Sequence, residues 1–455
     1  MNTEPTSPPR IPLVSSIDSR LESPSDARIV NAYTEKTTSG DVVVKRPAIS
    51  TYINLPGGGT GGCYYWNGSV YSIAGWSLYK DGNFISNVGA SGGRYSFASC
   101  LGSTPKLILH NQFNFYFFDG FSLSFTFAGG HAFLPGVAFL DGTTYCLDGS
   151  SIFGSGINDP STWNPLNVIQ AQQEPDFGVA IYKHRQYVIV FKNWTTEAFW
   201  DAGNPVGSPL QSAPGTLIEF GCMHSASIQQ FEDLLIWASA TRSGSVGVMM
   251  MENLQPQTIS SQAIERLLQS ADWTTVYSWS GRINGHRFYG LTIASSNLSL
   301  VYDITTQQWF QWTYGADGNY LPFVACTSIP DRRVVLQHEN GSLYTLSANA
   351  FTDDGQDVVV DIYTPNWDGG TRRRKYLQRL EVLGDQANMR SVKLRWSDDD
   401  YQTWSNFRNI DMGQKRPYTE DLGTFYRRAF HLRHNGPTAF RVKALECTNI
   451  LLGSE

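Results

Sequence analysis

Tight-turn dipeptides recur along the whole chain and constrain its fold more than any other feature. Asn-Gly and Asp-Gly favour two-residue hairpin turns, because both central residues of a type I′ turn need φ above zero. The sequence contains eleven such dipeptides, beginning at Asn67, Asp81, Asp119, Asp141, Asp148, Asn284, Asp317, Asn340, Asp354, Asp368 and Asn435. Most are flanked by runs rich in aromatic and β-branched residues, which favour strands. The sequence therefore predicts a mostly antiparallel β protein.

One segment predicts a helix. In SSQAIERLLQSADW, Ile264, Leu267 and Leu268 keep helical spacing, and Ser260 or Ser261 can cap the start. Elsewhere a unit of strand, tight turn, strand and aromatic residue recurs without a strict period, as in YKDGNFI and LQHENGSLYTL. Such loose repetition is typical of divergent β-propeller blades.

The pattern divides the chain into three regions. Residues 1–45 are polar and rich in Ser and Pro, which predicts an extended N-terminal arm. Residues 46–350 carry the blade-like repeats and predict a β-propeller. Residues 351–455 alternate apolar and polar positions in strand-length runs and predict a C-terminal β-sandwich. The expected fold class is all-β: a propeller with an additional C-terminal sandwich and an N-terminal arm.

Composition favours assembly. Charged residues make up 16% of the chain and aromatic residues 13%, whereas soluble domains typically carry about 25% charged residues. Such a surface leaves apolar patches unless partners cover them, so the chain is expected to join a larger structure. The formal net charge of -6 argues against a dedicated nucleic-acid binder.

The cysteines and the hydropathy of the chain indicate its redox environment and whether it enters a membrane. The six cysteines stand singly, without the spacing of a zinc site, which predicts a reduced, cytosolic folding environment. No apolar run approaches the roughly 18 residues that a membrane helix needs. The sequence thus predicts no membrane anchor.

The stretch RWSDDDYQTWSNF nearly matches the Asp-box pattern S-x-D-x-G-x-T-W of sialidase propellers. The matching residues are Ser397, Asp399, Thr403 and Trp404, and Tyr401 replaces the glycine. In this pattern the polar side chains hold a turn and the Trp packs beneath it, so we interpret the residues as a structural hairpin. Truncating Trp404, as a buried anchor, is expected to cost about 3–5 kcal/mol.

Other motifs indicate no catalytic, cofactor-binding or metal-binding set. Residues 89–93 satisfy G-x-S-x-G but lack the helix that a nucleophile elbow requires. PGGGTGG at 56–62 lacks the Lys-Ser/Thr of a phosphate loop. The triplet Asp398–Asp400 lacks the glycine and distal glutamate of a calcium loop. A carbohydrate-active or carbohydrate-binding propeller, sialidase-like or lectin-like, stays the alternative suggested by the single Asp box.

One dense basic cluster stands out on this acidic chain. It comprises Arg372, Arg373, Arg374 and Lys375. Such a run can face a partner or the DNA backbone. It can equally be an exposed loop, or an edge strand whose charges prevent pairing with another chain.

Several stretches occur in an order that carries a family resemblance. ARIVNAYTEKTTSGDVVVKRPAIS places Asn-x-Tyr before Lys-Arg-Pro, and DPSTWNPLN precedes EPDFGVAIYKHRQYVIVFKNWTTEAFWDAGN. IEFGCMHSASI, TISSQAIERLL and SDDDYQTWSNF follow. In this order the chain resembles the packaged-DNA stabilisation proteins of short-tailed bacteriophages, which are tail hub or nozzle proteins.

The resemblance implies a structural virion protein without enzyme activity. In that family six copies form a ring below the portal and its adaptor, extend the DNA channel, help to retain the packaged genome and anchor fibres or spikes. The implied partners are further copies of the chain, the head-tail adaptor ring, a tail fibre or tailspike protein, a tail needle or plug, and packaged dsDNA that passes without specific binding. The implied location is the phage tail, after synthesis in the host bacterial cytoplasm.

Overall fold

The computed structural model describes residues 8–13, 27–38, 40–58, 61–89, 93–102, 104–126, 130–386 and 389–453. Strands dominate this part of the chain. The first five are β1 (Arg10–Ile11), β2 (Arg28–Val30), β3 (Ala32–Thr37), β4 (Gly40–Lys45) and β5 (Ala48–Ile53).

Seven four-stranded units come next and are named blades 1 to 7. Blades 1 to 3 contain β6 (Gly62–Trp66), β7 (Ser69–Ala74), β8 (Ser77–Lys80), β9 (Asn83–Asn87); β10 (Ser96–Cys100), β11 (Lys106–His110), β12 (Phe115–Phe118), β13 (Leu123–Thr126); β14 (Ala138–Leu140), β15 (Thr143–Asp148), β16 (Ser151–Gly156) and β17 (Asp159–Gln170). Blades 4 to 6 contain β18 (Gly178–His184), β19 (Tyr187–Lys192), β20 (Thr196–Asp201), β21 (Leu210–Ser212); β22 (Gln229–Phe231), β23 (Leu234–Ala240), β24 (Val246–Glu252), β25 (Gln255–Thr258); β26 (Val276–Ile283), β27 (His286–Ile293), β28 (Leu298–Asp303) and β29 (Gln308–Gln311). Blade 7 contains β30 (Phe323–Ser328), β31 (Val334–His338), β32 (Leu343–Ser347) and the early strand β5.

The remaining strands are β33 (Thr352–Asp353), β34 (Gln356–Asp357), β35 (Val360–Tyr363), β36 (Lys375–Gly384), β37 (Ser391–Ser397), β38 (Arg408–Asp411), β39 (Tyr418–Glu420), β40 (Thr424–Phe425), β41 (Ala429–His434) and β42 (Arg441–Leu452). The predicted helix is α1 (Gln262–Gln269), and Ser261 caps it by accepting a hydrogen bond from the Ile264 N–H. Short 3-10 turns lie at Ser225–Ser227, Trp273–Thr275 and Ala294–Ser296. None of the helices in the described residues is long and apolar enough to span a membrane.

The blades form a closed β-propeller, as the repeats predicted. Six apolar clusters each lie between two neighbouring blades, and one of them joins blade 7 to blade 1. At that junction the Gln337 amide donates to the Ile73 carbonyl at 2.7 Å. Strand β5 pairs antiparallel with β32, so a strand from before blade 1 completes blade 7. Because no blade can bury both of its faces alone, the ring depends on this closure.

Five of the eleven tight-turn dipeptides form the expected hairpin geometry. Asn67, Asp81, Asp141, Asn284 and Asp354 have φ between 45° and 51°, and the glycine after each also has positive φ. The turn at Asp119 is stabilised by a side chain instead. The Asp119 carboxylate accepts hydrogen bonds from the backbone N–H groups of Phe121 and Ser122 at 2.8 Å each. Local turn chemistry therefore sets the registers of these hairpins.

Beside blades 6 and 7, two sheets pack face to face as a β-sandwich. One sheet has the order β3-β4-β42-β36-β39, with β1 on β42 and β40 on β36. The other has the order β2-β35-β41-β37-β38, and it continues blade 6 because β2 pairs in parallel with β29. A single apolar cluster fills the sandwich and extends under blades 6 and 7.

The predicted N-terminal arm of residues 1–45 is partly within the described residues. Residues 28–45 hold β2, β3 and β4, which lie in both sheets of the sandwich. Residues 28–45 therefore form integrated strands, because their apolar positions pack against blade 6 and against the distant C-terminal segment. Residues 1–7 and 14–26 lie outside the described residues. The boundaries 46–350 and 351–455 stay predictions as domain limits.

A buried ion pair joins the propeller to the sandwich. The Arg46 guanidinium makes two contacts with the Asp353 carboxylate, and both side chains are fully buried. Asp353 also accepts the Ile49 N–H at 2.9 Å and the Gly315 N–H at 3.0 Å. Asn31 accepts the Arg46 Nε–H at 2.9 Å. Every charge here is paired and hydrogen-bonded, as burial requires.

Removing one partner of this pair is expected to be costly. Asp353→Asn leaves the Arg46 charge buried and unpaired, and should lower the free energy of unfolding by about 3–5 kcal/mol. Asp331→Asn is the matched control, since it breaks the half-exposed Asp331–Arg333 pair and should cost less than about 1 kcal/mol. Urea denaturation of both variants measures the difference, and equal losses would contradict the assigned role of Arg46.

Candidate functional site

The two features selected from the sequence meet at one end of the sandwich. A surface groove of about 680 Å³ lies between the basic cluster and the Asp-box turn. Its lining comprises Asp368, Arg372, Arg374, Asp398, Thr424, Phe425, Tyr426 and Arg427. Arg427 and Tyr426 come from the segment between β40 and β41, which the sequence did not single out.

The Asp-box turn connects β37 to β38 and is held by its own side chains. The Ser397 hydroxyl donates to the Asp399 carboxylate at 2.8 Å and accepts the Tyr401 N–H at 3.0 Å. Asp399 also accepts the Thr403 N–H at 2.9 Å and the Thr403 hydroxyl at 2.5 Å. The bonds from Thr403 and then from Ser397 lower the pKa of Asp399 to about 2. The polar residues of the motif thus act on the turn itself.

Tyr401 takes the backbone conformation for which the Asp-box pattern uses glycine. Its φ is 65° and that of Asp400 is 56°, a left-handed region that is costly for bulky residues. The Tyr401 hydroxyl donates to the Thr364 carbonyl at 2.9 Å. This bond to the neighbouring segment compensates for the strained backbone.

Trp404 is half-buried, in contrast to the buried anchor that the sequence predicts. Its ring lies edge-on to Tyr363 at 5.7 Å and to His431 at 5.6 Å. These contacts are on the outer face of the β2-β35-β41-β37-β38 sheet, whereas Trp396 points the other way and packs against the core. The turn therefore places the Trp404 side chain on the outer face of this sheet.

Two carboxylates of the Asp398–Asp400 triplet are engaged by arginines. The buried Arg428 side chain holds Asp398 through two hydrogen bonds of 2.6 and 2.8 Å, and Arg427 pairs with Asp400. Among the described residues, no three His, Cys, Asp or Glu side chains are arranged to hold a metal ion.

The basic cluster divides into exposed and buried parts. Arg372, Arg373 and Arg374 are exposed, and Arg374 donates to the Thr424 hydroxyl at 2.9 Å. Lys375 is 1% exposed, and its ammonium donates to the Thr371 and Arg373 carbonyls at 2.7 and 2.8 Å. Burial lowers the pKa of Lys375. Three of the four predicted cations therefore face solvent. The fourth, Lys375, stabilises the loop through its hydrogen bonds to backbone carbonyls.

The glycine-rich candidates fall partly outside the described residues. Positions 90–92 of the G-x-S-x-G match and positions 59–60 of PGGGTGG are not described. Gly61 lies at the junction of blades 7 and 1, where a Cβ would approach the Ile73 carbonyl oxygen to 1.7 Å. Close backbone packing explains that glycine.

A buried ionic centre in blade 4 was not predicted from the sequence. The Lys192 ammonium lies 2.8 Å from both Asp176 and Glu197, and none of the three is appreciably exposed. Burial alone would raise the pKa of Asp176, but hydrogen bonds from Lys192 and its neighbours lower it. The Pro-Asp, Phe-Lys and Thr-Glu pairs in EPDFGVAIYKHRQYVIVFKNWTTEAFW were the available signal. Their shared role is to hold the blade.

A family model agrees with this architecture. The model described as Bacteriophage P22 Gp10, beta-propeller, of the phage stabilisation family matches residues 29–350. The chain belongs to this family. This phage stabilisation protein is therefore a β-propeller with a structural role in a bacteriophage virion.

Solved structures of similar shape are remote from this phage stabilisation protein. A streptogramin B lyase structure has a TM-score of 0.43 at 9% identity and covers 66% of this chain and 98% of its own. The N-terminal domain of Nup159 has a TM-score of 0.41 at 9% identity, covering 71% and 99%. BamB from Moraxella catarrhalis has a TM-score of 0.38 at 13% identity, covering 74% and 97%. No curated protein matches the sequence.

The half-burial of Trp404 changes the expected cost of its truncation. Trp404→Ala should lower the free energy of unfolding by about 2 kcal/mol, because the ring already contacts water on one side. Trp312→Ala is the comparison, since Trp312 is fully buried and should cost about 3–5 kcal/mol. Chemical denaturation of both variants gives the ratio, and a larger loss for Trp404 would contradict its placement.

Protonation of His431 should weaken the sandwich. Burial lowers the pKa of His431 below its ordinary 6.5, and its Nδ1 accepts the Arg395 Nε–H at 2.8 Å. Because the unfolded chain binds this proton more readily, the contribution is present above pH 6.5 and falls as pH drops below it. Urea midpoints from pH 7.5 to pH 5 should decline less steeply in His431→Gln than in the parent. Parallel curves would show that His431 does not titrate in this window.

Proposed function

We propose that this phage stabilisation protein is a tail hub or nozzle protein. Six copies form a ring below the portal and its adaptor, extend the DNA channel, help to retain the packaged genome and anchor tail fibres or spikes. A needle or plug closes the channel, and dsDNA passes through it without specific binding. The protein is made in the host cytoplasm and resides in the phage tail.

The distribution of exposed apolar side chains supports assembly through blades 1 to 4. Among the described residues, sixteen large apolar side chains are exposed, and twelve of them lie between Trp76 and Val206. Concentrated apolar exposure of this kind marks a surface that a partner covers. It is the observation that carries the proposal beyond family membership.

Blade topology places several of these side chains at one end of the propeller. In an antiparallel four-stranded blade, the first and third turns share an end. Leu101 lies in the first turn of blade 2, whereas Phe121, Ile157 and Val206 lie in the third turns of blades 2, 3 and 4. Their exposures are 68%, 96%, 77% and 84%. These four residues, the apolar tips, are proposed to contact the neighbouring copy or the adaptor.

The groove beside the Asp-box turn has a second role in the proposal. Arg372 and Arg374 line it, and Arg373 between them in the sequence is also exposed. We assign these arginines to a contact with a neighbouring tail component, while Ser397, Asp399, Thr403 and Trp404 hold the turn that borders the groove. No catalytic residue is assigned.

Assembly on a template tests the proposal. Purified protein is mixed with portal and adaptor rings and examined by mass photometry and negative-stain microscopy. The parent protein should form a closed ring on the adaptor. Phe121→Ser combined with Ile157→Ser should weaken ring formation at least tenfold, because two large apolar side chains leave the interface.

The matched control uses the opposite end of the same blade. Phe113 lies in the second turn of blade 2 and is 56% exposed, so Phe113→Ser should assemble like the parent. A parent protein that stays monomeric with the adaptor present would overturn the hub function. Normal assembly of the Phe121 and Ile157 variant would overturn the role of the apolar tips alone.

A further inference from the structure

The outer face of the β2-β35-β41-β37-β38 sheet carries a row of arginines and aromatic rings. Across four neighbouring strands, Arg28 lies opposite Tyr363, Tyr363 opposite His431, and His431 opposite Arg395. The alternate positions, including Ile362, point into the core, so this row lies on the solvent side. The Asp-box turn completes it by placing Trp404 against Tyr363 and His431.

The guanidinium groups are held in position by the rings beneath them. Arg28 lies 4.4 Å above the centre of Tyr363. Arg395 lies 4.5 Å from Phe407 and 5.0 Å from Trp404, and Arg433 lies 5.5 Å from Phe407. Stacking uses the flat face of a guanidinium and leaves its N–H edge available for a carboxylate or phosphate. The side chains are half-buried, so much of the entropy of ordering them is already lost.

The charge on this face is unbalanced. Lys393 lies opposite Arg433 in the next row and is exposed. Asp361 is committed to Arg433 through bonds of 2.7 and 3.0 Å and to His431 at 2.6 Å. Asp411 lies one row further out, at the edge strand β38, opposite Ser391. Arg28, Lys393 and Arg395 make no ion pair with a carboxylate among the described residues.

We propose that this arginine face, formed by Arg28, Lys393 and Arg395 beside the Asp361-paired Arg433, docks an acidic protein segment whose Asp or Glu side chains meet the three uncompensated cations. The partner is a neighbouring virion protein, and the surface is separate from the apolar tips of the ring proposal. Arg28 and Arg395 lie three strands apart in this row, which is about 14 Å and equals two intervals between same-side residues of an extended chain.

Charge count favours a protein segment over DNA. Proteins that hold duplex DNA neutralise about six to ten phosphates, and this face offers three uncompensated cations. The formal net charge of the whole chain is -6, which repels a long polyanion at a distance. A short acidic segment needs only two or three paired carboxylates to bind, and charge-assisted bonds to an arginine fork are strong.

Binding of a defined probe tests the proposal on the full-length protein. The probe is a short fluorescent peptide in which glutamate alternates with serine, followed by fluorescence polarisation at low and physiological salt. The parent should bind it with an affinity that falls as salt rises. Arg28→Gln combined with Arg395→Gln should weaken binding at least tenfold, while Arg28→Lys should weaken it partially because the charge remains and the planar fork is lost.

The matched control removes the same charge from another surface. Lys36 and Arg332 are exposed and lie outside this face, so Lys36→Gln combined with Arg332→Gln should bind the peptide like the parent. Absence of peptide binding by the parent, equal loss in the control, or tighter binding of a short DNA duplex through Arg28 and Arg395 would each overturn the proposal. Thermal midpoints of the variants confirm that they are folded, and their ring assembly on the adaptor is measured separately, so this proposal and the hub function fail independently.

Discussion

The buried Arg46–Asp353 pair is the constraint on which the two halves of the molecule depend. Arg46 directly follows β4 of the sandwich and precedes β5 of blade 7. Asp353 lies just after the last propeller strand, where the chain leaves for the sandwich. One ion pair therefore fixes the point at which the chain enters and leaves the propeller. Both groups are fully buried. A chain path that separated them would leave an unpaired charge in a low-dielectric environment.

The Asp-box hairpin shows how one local motif can serve a structural protein. Its Ser, Asp and Thr side chains form hydrogen bonds within the turn. The turn sets Asp398 where the buried Arg428 can hold it and sets Trp404 on the outer face of the sheet. The same few residues thus border a cationic groove on one side and end a row of stacked arginines on the other. Motif resemblance to sialidases reflects turn chemistry, which is independent of catalysis.

Several elements could be read directly from residue order. The helix at α1, the hairpins at Asn67 and Asn284, and the blade-like repetition follow from local sterics, capping and strand pattern. Other features could not be predicted this way. Lys375 stands beside three arginines in the sequence, yet it is buried and bonded to carbonyls. Which cation of a run faces solvent depends on how the next strand enters its sheet, and a linear pattern does not contain that information.

By itself, the sequence determined the mostly antiparallel strands, five of the eleven Asn-Gly and Asp-Gly turns, helix α1 and the bonds within the Asp-box turn. Each depends on residues a few positions apart, whose preferred backbone angles and hydrogen bonds are the same in any fold. Only the tertiary structure decided that β5 closes blade 7, that residues 28–45 enter the sandwich, and that Arg28 lines up with Tyr363, His431 and Arg395. These pairings join residues tens to hundreds of positions apart. They are selected by closure of the ring and by burial of the shared core, which no local pattern encodes.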